Sequence, residues 1–327
     1  MSVPAVLVTS AGRRVALLRA FRRALAALGG GRVLAADVAP SAPALHEADA
    51  GFLVPPCDAP ACLPALLALC EREGVRLLVP TTDRELPLLA AARSRFAALG
   101  VTLAVSGAAT VAIAGDKLAT ARFFADAAVV TPRLLDLAHA LADPDRTPFP
   151  LVLKPRFGSG SIGVEVVRDA EALRFFVRRV PQPLLQEYVH GQEFTLDVLV
   201  DPRGRAACVV PRCRVETRAG EIVKGYTTRD PELEAAGRAV AERLPDAWGP
   251  LTLQCFRDSS GQIVFIEINP RFGGGFPLSC EAGADYPRWL LEWALGLPST
   301  ACADGWRPDV AMLRYDDAVF VPRGRCA

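Results

Sequence analysis

The stretch IVFIEINPRFGGG, residues 263–275, is an unusual strand in this 327-residue chain, because polar residues and then three glycines follow its apolar start. Its first half is rich in β-branched residues, which predicts a strand. Because side chains alternate along a strand, Glu267, Asn269 and, beyond a proline, Arg271 are expected to line one face, with the isoleucines on either side of Glu267 on the other. A carboxylate, a carboxamide and a guanidinium on one face can be structural, and they can also hold a metal ion and an anionic ligand.

A second strand, GPLTLQCFRD (residues 249–258), precedes this one, and the turn residues between the two predict a hairpin. On it Gln254 alternates with Thr252 and Phe256. The combined face offers oxygen ligands with little charge and no nearby histidine, which is typical of a magnesium site completed by nucleotide phosphates. The alternative, a buried polar ladder, stays open at this point.

A lysine followed by a glycine- and serine-rich loop is the next candidate. Lys154 ends the strand FPLVLKP, and the loop that follows comprises Gly158, Ser159, Gly160, Ser161, Ile162 and Gly163. Glycines let backbone N–H groups approach a phosphate, and the lysine adds a positive charge. The lysine precedes the glycines and the loop joins two strands, so this is a hairpin flap and not a P-loop. A plain flexible hairpin turn is the other interpretation.

The segment QEYVHGQEF, residues 186–194, is an apolar strand that runs into a polar, extended stretch. Such a segment can offer its backbone groups to the edge of an adenine, and Glu193 can accept hydrogen bonds from ribose hydroxyls. The pattern is weak by itself, because acidic residues beside strands are usually solvated.

The first hundred residues alternate between strand and helix patterns, which predicts an open parallel sheet. Strands are expected over residues 5–10, 32–38, 75–81 and 101–106, and helices over residues 13–28, 63–73 and 83–99. Ligands of such sheets bind beyond the carboxyl ends of the strands, here near Ser10, Asp37 and Asp83. A lone Gly12 replaces the glycine pattern of a dinucleotide site, and the two arginines after it either hold an anion or are solvated.

Beyond residue 150, short apolar runs that alternate every residue or two predict an antiparallel sheet. The net charge of +1 does not favour nucleic-acid binding. The nine cysteines form no Cys-x-x-Cys pair, which disfavours a zinc site or a disulfide framework and favours the cytoplasm. We expect no signal peptide and no membrane span.

Five segments in order resemble the ATP-grasp superfamily, in particular the branch of the carbamoyl-phosphate synthase large chain and its short, stand-alone carboxylate–amine ligase relatives. The segments are AGDKLATARFFADAAVVTP, PLVLKPRFGSGSIGV, LLQEYVHGQEFTLDVLVD, LTLQCF and IEINPRFGGGFPLS. The resemblance covers nearly the whole chain. It implies a Rossmann-like pre-ATP-grasp domain over residues 1–108, a small lobe with the phosphate flap over 109–184, and a large lobe over 185–327.

The resemblance also implies roles for individual residues. Those expected to bind ATP are Lys117, Lys154, Gly158, Ser159, Gly160, Ser161, Gly163, Gln186, Glu187, Val189 and Glu193. Those expected to bind one or two Mg²⁺ ions, with Mn²⁺ as a substitute, are Gln254, Glu267 and Asn269. Those expected to act in catalysis are Arg271, Lys154 and Arg214. Those expected to contact the substrate are Ser10, Arg13, Asp83, Arg271, Gly273 and Gly274.

The implied reaction is ATP-dependent ligation: a carboxylate becomes an acyl phosphate, and an amine then displaces phosphate to form a C–N bond. Two other functions stay open, which are phosphorylation of a small carboxylate without ligation and a non-catalytic nucleotide-binding regulator. The single ATP-grasp unit disfavours a complete carbamoyl-phosphate synthase. The expected partners are small carboxylates and amines, with no nucleic acid and no membrane, and a homodimer is one option.

Overall fold

A computed structural model describes residues 3–325 of the chain and contains three β-sheets. The first sheet has five strands in the order β3-β2-β1-β4-β5, all parallel. The strands are β1 (Ala5–Thr9), β2 (Arg32–Asp37), β3 (Ala50–Leu53), β4 (Val75–Pro80) and β5 (Thr102–Leu103). The helices of this unit are α1 (Val15–Ala27), α2 (Pro43–Glu47), α3 (Cys62–Glu73), α4 (Leu86–Ala91) and α5 (Arg93–Ala98).

The order of the first sheet reverses beside β1, so the loops after β1 and β4 lie together at its carboxyl edge. The Thr81 hydroxyl donates to the Ser10 carbonyl at 2.6 Å, and the Gly12 amide donates to the Asp37 carboxylate at 2.8 Å. Ser10 has a φ of +47°, which the contacts around it hold in place. The predicted parallel unit is therefore confirmed, and its loops converge where a ligand would bind.

Three details of this unit differ from the sequence prediction. The short elements α2 and β3 were not predicted, because four and five residues carry too little periodicity. The single helix expected over residues 83–99 is a 3-10 turn (Asp83–Glu85) followed by α4 and α5. Pro87 lies in the first turn of α4, where its missing N–H needs no partner, so a new helix begins there. The strand expected over residues 101–106 pairs only through β5.

The second sheet has four strands in the order β6-β9-β7-β8, all antiparallel. Its strands are β6 (Leu134–Leu135), β7 (Leu151–Pro155), β8 (Glu165–Val167) and β9 (Pro183–Glu187). The helices around it are α6 (Ala108–Gly115), α7 (Lys117–Asp126), α8 (Leu137–Ala142) and α9 (Ala170–Phe176). Asp116 separates α6 from α7, because its carboxylate accepts from the Leu118 amide at 2.9 Å and so begins a new helix.

The third sheet has six antiparallel strands in the order β14-β13-β10-β11-β12-β15. Its strands are β10 (Gly191–Val200), β11 (Ala206–Arg218), β12 (Glu221–Thr227), β13 (Gly249–Asp258), β14 (Ile263–Asn269) and β15 (Ala311–Leu313). Its helices are α10 (Pro231–Arg243), α11 (Phe276–Glu281) and α12 (Tyr286–Ala294). The predicted domain boundaries stay predictions; β9 crosses the one expected after residue 184.

Strand β14 contains a bulge that the sequence prediction missed. Gln254 pairs with Glu267, but the next residue, Cys255, pairs with Phe265, so Ile266 is an extra residue in the ladder. Phe265 and Ile268 consequently both lie in the core, at 2% and 1% exposed, whereas Ile266 is half-buried. The expectation that the two isoleucines beside Glu267 share the core face was wrong for Ile266.

A row of aromatic rings fixes the first unit to the third. Phe21 of α1 packs edge-on against Phe272 at 6.0 Å between ring centroids, and Phe272 in turn packs against Phe276 at 4.6 Å. Phe21, Phe272 and Phe276 are all fully or nearly fully buried. Because Phe272 directly follows Arg271, this packing sets where the start of α1 lies relative to the loop after β14.

The cysteines of the described chain are free thiols. Cys70 and Cys255 are buried, as expected of small core residues, and burial raises the pKa of both thiols to about 12. No helix within residues 3–325 has the length and apolar character needed to cross a membrane.

A buried ion pair lies at the centre of the third sheet. The Arg212 guanidinium donates to both oxygens of Asp197, at 2.7 and 3.0 Å, and the two side chains are 1% and 2% exposed. The Ser279 hydroxyl donates to the same carboxylate at 2.5 Å, while Nη1 of Arg212 has no hydrogen-bond partner in the described chain. Arg212 thus depends on Asp197 for its counter-charge.

We expect Asp197→Ala to lower the free energy of unfolding by about 3–5 kcal/mol, because it leaves a buried guanidinium without an anion. Urea unfolding followed by tryptophan fluorescence measures the change. The matched control is Asp316→Ala, which removes an exposed ion pair with Arg218 (89% and 70% exposed). It should change the same free energy by less than about 0.5 kcal/mol. Equal effects of the two substitutions would contradict this assignment.

Candidate functional site

The site begins at the hairpin of β13 and β14, whose register sets four polar side chains opposite one another. Gln254 faces Glu267, and Thr252 faces Asn269. Asn269 is 4% exposed, and its amide nitrogen has no hydrogen-bond partner in the described chain. A buried donor without a partner is costly, so this amide is suited to a bound ligand or water. The sequence prediction that Gln254, Glu267 and Asn269 share a face agrees with this register.

Arg271 leaves the hairpin and reaches the first unit. Its Nη2 donates to the Asn269 side-chain oxygen at 3.0 Å and to the Asp83 carboxylate at 3.1 Å. The Thr252 hydroxyl donates to the Arg271 carbonyl at 3.0 Å, which fixes the backbone there. Asp83, an expected substrate residue, is therefore engaged by Arg271 and acts at least in part as its anchor.

Two lysines face Glu267 from the second sheet and from α7. Lys154 is 8% exposed, and its side chain makes no hydrogen bond within residues 3–325. Burial lowers the pKa of Lys154 to about 8; Glu267 opposes this shift and the nearby positive charge of Lys117 adds to it. Burial also lowers the pKa of Lys117, against the attraction of Glu267, Asp83 and Asp116. Helix α7, which begins at Lys117, packs on β14 through Phe124 and Phe265, whose ring centroids are 5.8 Å apart, so the two lysines and Glu267 border one cleft.

The flap joins β7 to β8, as predicted, and its conformation requires glycine. Gly158, Gly160 and Gly163 have φ values of +110°, +69° and +72°. A Cβ on either of the first two would meet no atom within 4 Å, so the dihedral angle and not crowding selects glycine there. The Lys117 ammonium donates to the Gly158 carbonyl at 2.6 Å, which ties the flap to the lysine pair.

Glu193 lies on β10, which adjoins β13, and Arg214 lies on β11, the next strand of the sheet. Burial raises the pKa of Glu193, and Glu267 contributes to the shift, whereas Arg214 opposes it. Arg214 Nε lies 3.0 Å from the Glu193 carboxylate, in a geometry that is an ion pair and not an aligned hydrogen bond. Nη2 of Arg214 also donates to the Gly220 carbonyl at 2.9 Å. Gly220 packs against the flap at Ser161, so Arg214 positions the turn on which the flap rests.

The segment expected to bind adenine lies between the second and third sheets. The Glu187 carboxylate pairs with Arg133 at 2.9 Å, and the Glu187 amide donates to the Arg133 carbonyl at 3.1 Å. Gln186 is 4% exposed, and Val189 lies between β9 and β10, outside either strand. A cavity of about 440 Å³ adjoins residues 187–190, but neither lysine of the cleft nor Glu267 lines it. This cavity is therefore separate from the cleft that contains the two lysines.

The glycines at residues 273–275 are explained by packing, which the sequence interpretation missed. A Cβ on Gly274 would lie 2.5 Å from the Glu221 carboxylate and 2.9 Å from Nη1 of Arg14, and one on Gly275 would clash with Arg212. The expectation that Gly273 and Gly274 also contact the substrate stays a prediction. Arg13, another expected substrate residue, is exposed, while Arg14 is the arginine that points into the site.

Glu221 and Arg314 also belong to this region and were not predicted. Arg314 donates to Glu221 at 2.9 Å and to the Gly274 carbonyl at 2.5 Å. Neither residue lies in a recognisable motif, and only the fold brings them to Gly274. The run of three glycines is the signal that could have found them, since glycines in a row predict that other groups approach the backbone closely.

The residues present fit a nucleotide with magnesium. Within residues 3–325 no three His, Cys, Asp or Glu side chains gather as a metal site. This agrees with a set of one carboxylate and two amides, which is too weak to hold an ion without phosphate oxygens. The buried Asn269 amide nitrogen lacks a partner, which a phosphate oxygen would supply, and the Lys154 side chain, 8% exposed, offers a positive charge to the same group.

Two family models match the chain, a PylC-like N-terminal domain over residues 6–104 and an ATP-grasp domain over residues 114–275. The chain belongs to the ATP-grasp family. A D-alanine–D-alanine ligase from Pseudomonas putida is 33% identical over 219 residues, which are 59% of this chain and 67% of that ligase. The predicted family, fold class and enzyme class, an ATP-grasp ligase, are confirmed.

Solved structures share the ATP-grasp fold across most of the chain. The biotin carboxylase domain of 2-oxoglutarate carboxylase from Hydrogenobacter thermophilus, a dimer in complex with MgADP, ADP and bicarbonate, is 18% identical with a TM-score of 0.71. The match covers 94% of this chain and 73% of that one. The L-amino acid ligase from Bacillus licheniformis is 18% identical with a TM-score of 0.69, over 94% of this chain and 78% of that one.

The low pKa of Lys154 predicts a stability change with a defined pH dependence. A lysine whose pKa falls on folding destabilises the fold fully below the folded pKa, about 8, and not at all above the unfolded value of 10.5. Lys154→Met should therefore raise the free energy of unfolding by about 1–3 kcal/mol near pH 7. This gain should shrink as the pH rises from about 8 to above 10. Urea unfolding at several pH values measures it.

Lys224→Met is the matched control, because Lys224 is half-exposed and pairs with Glu216 on the surface. It should change the free energy of unfolding little at any of these pH values. If Lys154→Met destabilises the protein near pH 7, the burial of an unpaired ammonium is not as described.

Proposed function

We propose that this protein is an ATP- and Mg²⁺-dependent ligase that activates a carboxylate as an acyl phosphate and joins it to an amine, releasing ADP and phosphate. The observation that carries the proposal is that Lys117, which donates to the flap at Gly158, and Lys154 lie beside the β13–β14 hairpin, on which Gln254 faces Glu267. Membership of the ATP-grasp family supports it.

In this proposal ATP lies between the second and third sheets. Lys117 and Lys154 contact its phosphates, and the flap of Gly158, Ser159, Gly160, Ser161 and Gly163 covers them with backbone N–H groups. The backbone at Gln186, Glu187 and Val189 contacts adenine, and Glu193 accepts hydrogen bonds from the ribose. Residues 1–108, 109–184 and 185–327 act as the pre-ATP-grasp domain, the small lobe and the large lobe.

Gln254, Glu267 and Asn269 are the proposed ligands of one or two Mg²⁺ ions, for which Mn²⁺ can substitute. The metal would neutralise charge on the phosphate oxygens as the phosphoryl group transfers. Asn269 has a second role that the geometry supports, because its side-chain oxygen accepts from Arg271 and so orients that guanidinium.

The reaction proceeds in two steps. A carboxylate oxygen of the acid attacks the γ-phosphorus of ATP, and the bond from that phosphorus to ADP breaks. The amine nitrogen then attacks the acyl carbon, the C–O bond to phosphate breaks, and the nitrogen loses a proton. Arg271 holds the transferring phosphoryl group, since its Nη1 and Nε are not engaged by the described residues and its aim is fixed by Asp83 and Asn269. Lys154 stabilises the same charge from the other side.

The substrates of this proposal are a small carboxylate and a small amine, and no nucleic acid or membrane takes part. A cytoplasmic location and a homodimer stay predictions.

We expect Glu267→Gln and Arg271→Ala to lower the rate of ADP release at least about 100-fold, because each removes a group that stabilises transferring charge. The measurement is ADP release by the purified protein with Mg²⁺, over a panel of carboxylates, with and without amines. Release that requires both substrates identifies ligation, release that requires only the acid identifies phosphorylation alone, and no release identifies a regulator.

Matched controls carry the same substitutions on exposed residues, Glu71→Gln on α3 and Arg174→Ala on α9. Both should release ADP at the rate of the unaltered protein, and circular dichroism should show that all four variants are folded. Normal turnover by the Glu267 and Arg271 variants would show that the site is misassigned.

A further inference from the structure

Charged side chains from three parts of the fold meet around Gly274. Arg14 comes from the start of α1, Glu221 from the start of β12, and Arg314 from the residue after β15. Arg314 donates to the Gly274 carbonyl at 2.5 Å and to Glu221 at 2.9 Å, and Arg14 lies 3.6 Å from the other oxygen of Glu221. Gly274 follows Arg271 by three residues, so the cluster lies within about 11 Å of the Arg271 backbone.

The cluster has more positive than negative charge. Its guanidinium groups belong to Arg14, Arg271 and Arg314, and the carboxylates that face them belong to Glu221 and Asp83. Burial lowers the pKa of Arg14, and the neighbouring charges of Arg271 and Arg314 lower it further, while Glu221 and Asp83 oppose them. The charge of Arg13 also acts on Glu221, so positive charge is in excess around these carboxylates, which favours an anion.

The arginines also have free donors. The Arg14 guanidinium makes no hydrogen bond within residues 3–325, since 3.6 Å to Glu221 is too long for one. Arg314 uses Nη1 and Nη2, which leaves Nε available. The Arg14 and Arg314 side chains are 23% and 29% exposed, so a ligand in the cleft can reach both. Guanidinium pairs of this kind suit the planar oxygens of a carboxylate.

We propose that Arg14 and Arg314 bind a carboxylate of the substrate other than the one that is phosphorylated. The inference rests on the proposed function, because it assumes that Arg271 holds the transferring phosphoryl group, near which Arg14 and Arg314 lie. The second carboxylate belongs either to the amine, which is then an amino acid, or to the acid, which is then a dicarboxylate. Glu221 keeps the two arginines together when no substrate is bound, and its oxygens explain why residue 274 must be a glycine.

The experiment measures dissociation constants in the presence of Mg²⁺ and a non-hydrolysable ATP analogue, and again without nucleotide. One arm compares standard L-amino acids with their α-carboxamides. The other compares succinate and glutarate with their monoamides. In the unaltered protein at least one carboxylate should bind more tightly than its amide. Arg14→Gln and Arg314→Gln should each weaken that carboxylate about 10- to 100-fold and leave the amide unchanged.

Arg23→Gln is the matched control. Arg23 also lies on α1, and its Nη2 pairs with the carboxylate of Glu281 on α11 at 2.7 Å. It should leave the preference for carboxylates intact. Arg14→Lys should restore part of it, since a lysine keeps the charge but not the paired donors. The arm in which the preference appears identifies its source.

Two results would overturn the inference: no carboxylate that binds better than its amide, or a preference that survives both substitutions. Binding of the ATP analogue is measured separately in every variant. If the analogue fails to bind the unaltered protein, the proposed function fails. If the analogue binds, but the preference for a carboxylate over its amide does not depend on Arg14 or Arg314, this inference fails and the proposed function does not.

Discussion

The register between β13 and β14 is the constraint on which the rest of the site depends. Gln254 lies opposite Glu267 and Thr252 opposite Asn269, so these four side chains share one face of the hairpin. A slip of one residue would turn the polar set into the core. The bulge at Ile266 protects this register, because it lets Phe265 and Ile268 both reach the core while Glu267 keeps its partner. Lys117, Lys154 and Arg271 all lie beside this hairpin.

The choice of lysine in the cleft reflects the chemistry needed there. The chain contains three lysines, Lys117, Lys154 and Lys224, and two of them face Glu267. Elsewhere the chain uses arginine for positive charge. A lysine is a compact point charge on a flexible stem, and its pKa shifts readily on burial, as it does at Lys154. Burial of Lys154 destabilises the free protein, and a bound polyphosphate would recover that free energy.

The fold could be predicted where a helical or strand pattern of apolar residues extends over many residues. The site could be predicted where its residues lie close together in sequence. The parallel unit, the flap between β7 and β8 and the β13–β14 hairpin all follow from residues that are neighbours in sequence. The bulge at Ile266 could not be predicted, since an extra residue in a ladder leaves the apolar pattern almost unchanged. Arg314 and Glu221 could not be assigned either, because residues far apart in sequence form the cluster. The pairing of β12 with β15 brings Arg314 beside Glu221, and the packing of Phe21 on Phe272 brings Arg14 to both. The three glycines were interpreted as room for a substrate, and the structure adds that side chains of the protein approach Gly274 and Gly275 closely.

In the proposed reaction an oxygen of the acid attacks ATP. A carboxylate labelled with ¹⁸O tests this step, in any acid and amine pair that supports ADP release. We expect each phosphate released to carry one labelled oxygen from the acid, because the acyl C–O bond breaks when the amine attacks. Unlabelled phosphate, formed in step with ADP, would mean that water attacks ATP and that no acyl phosphate forms.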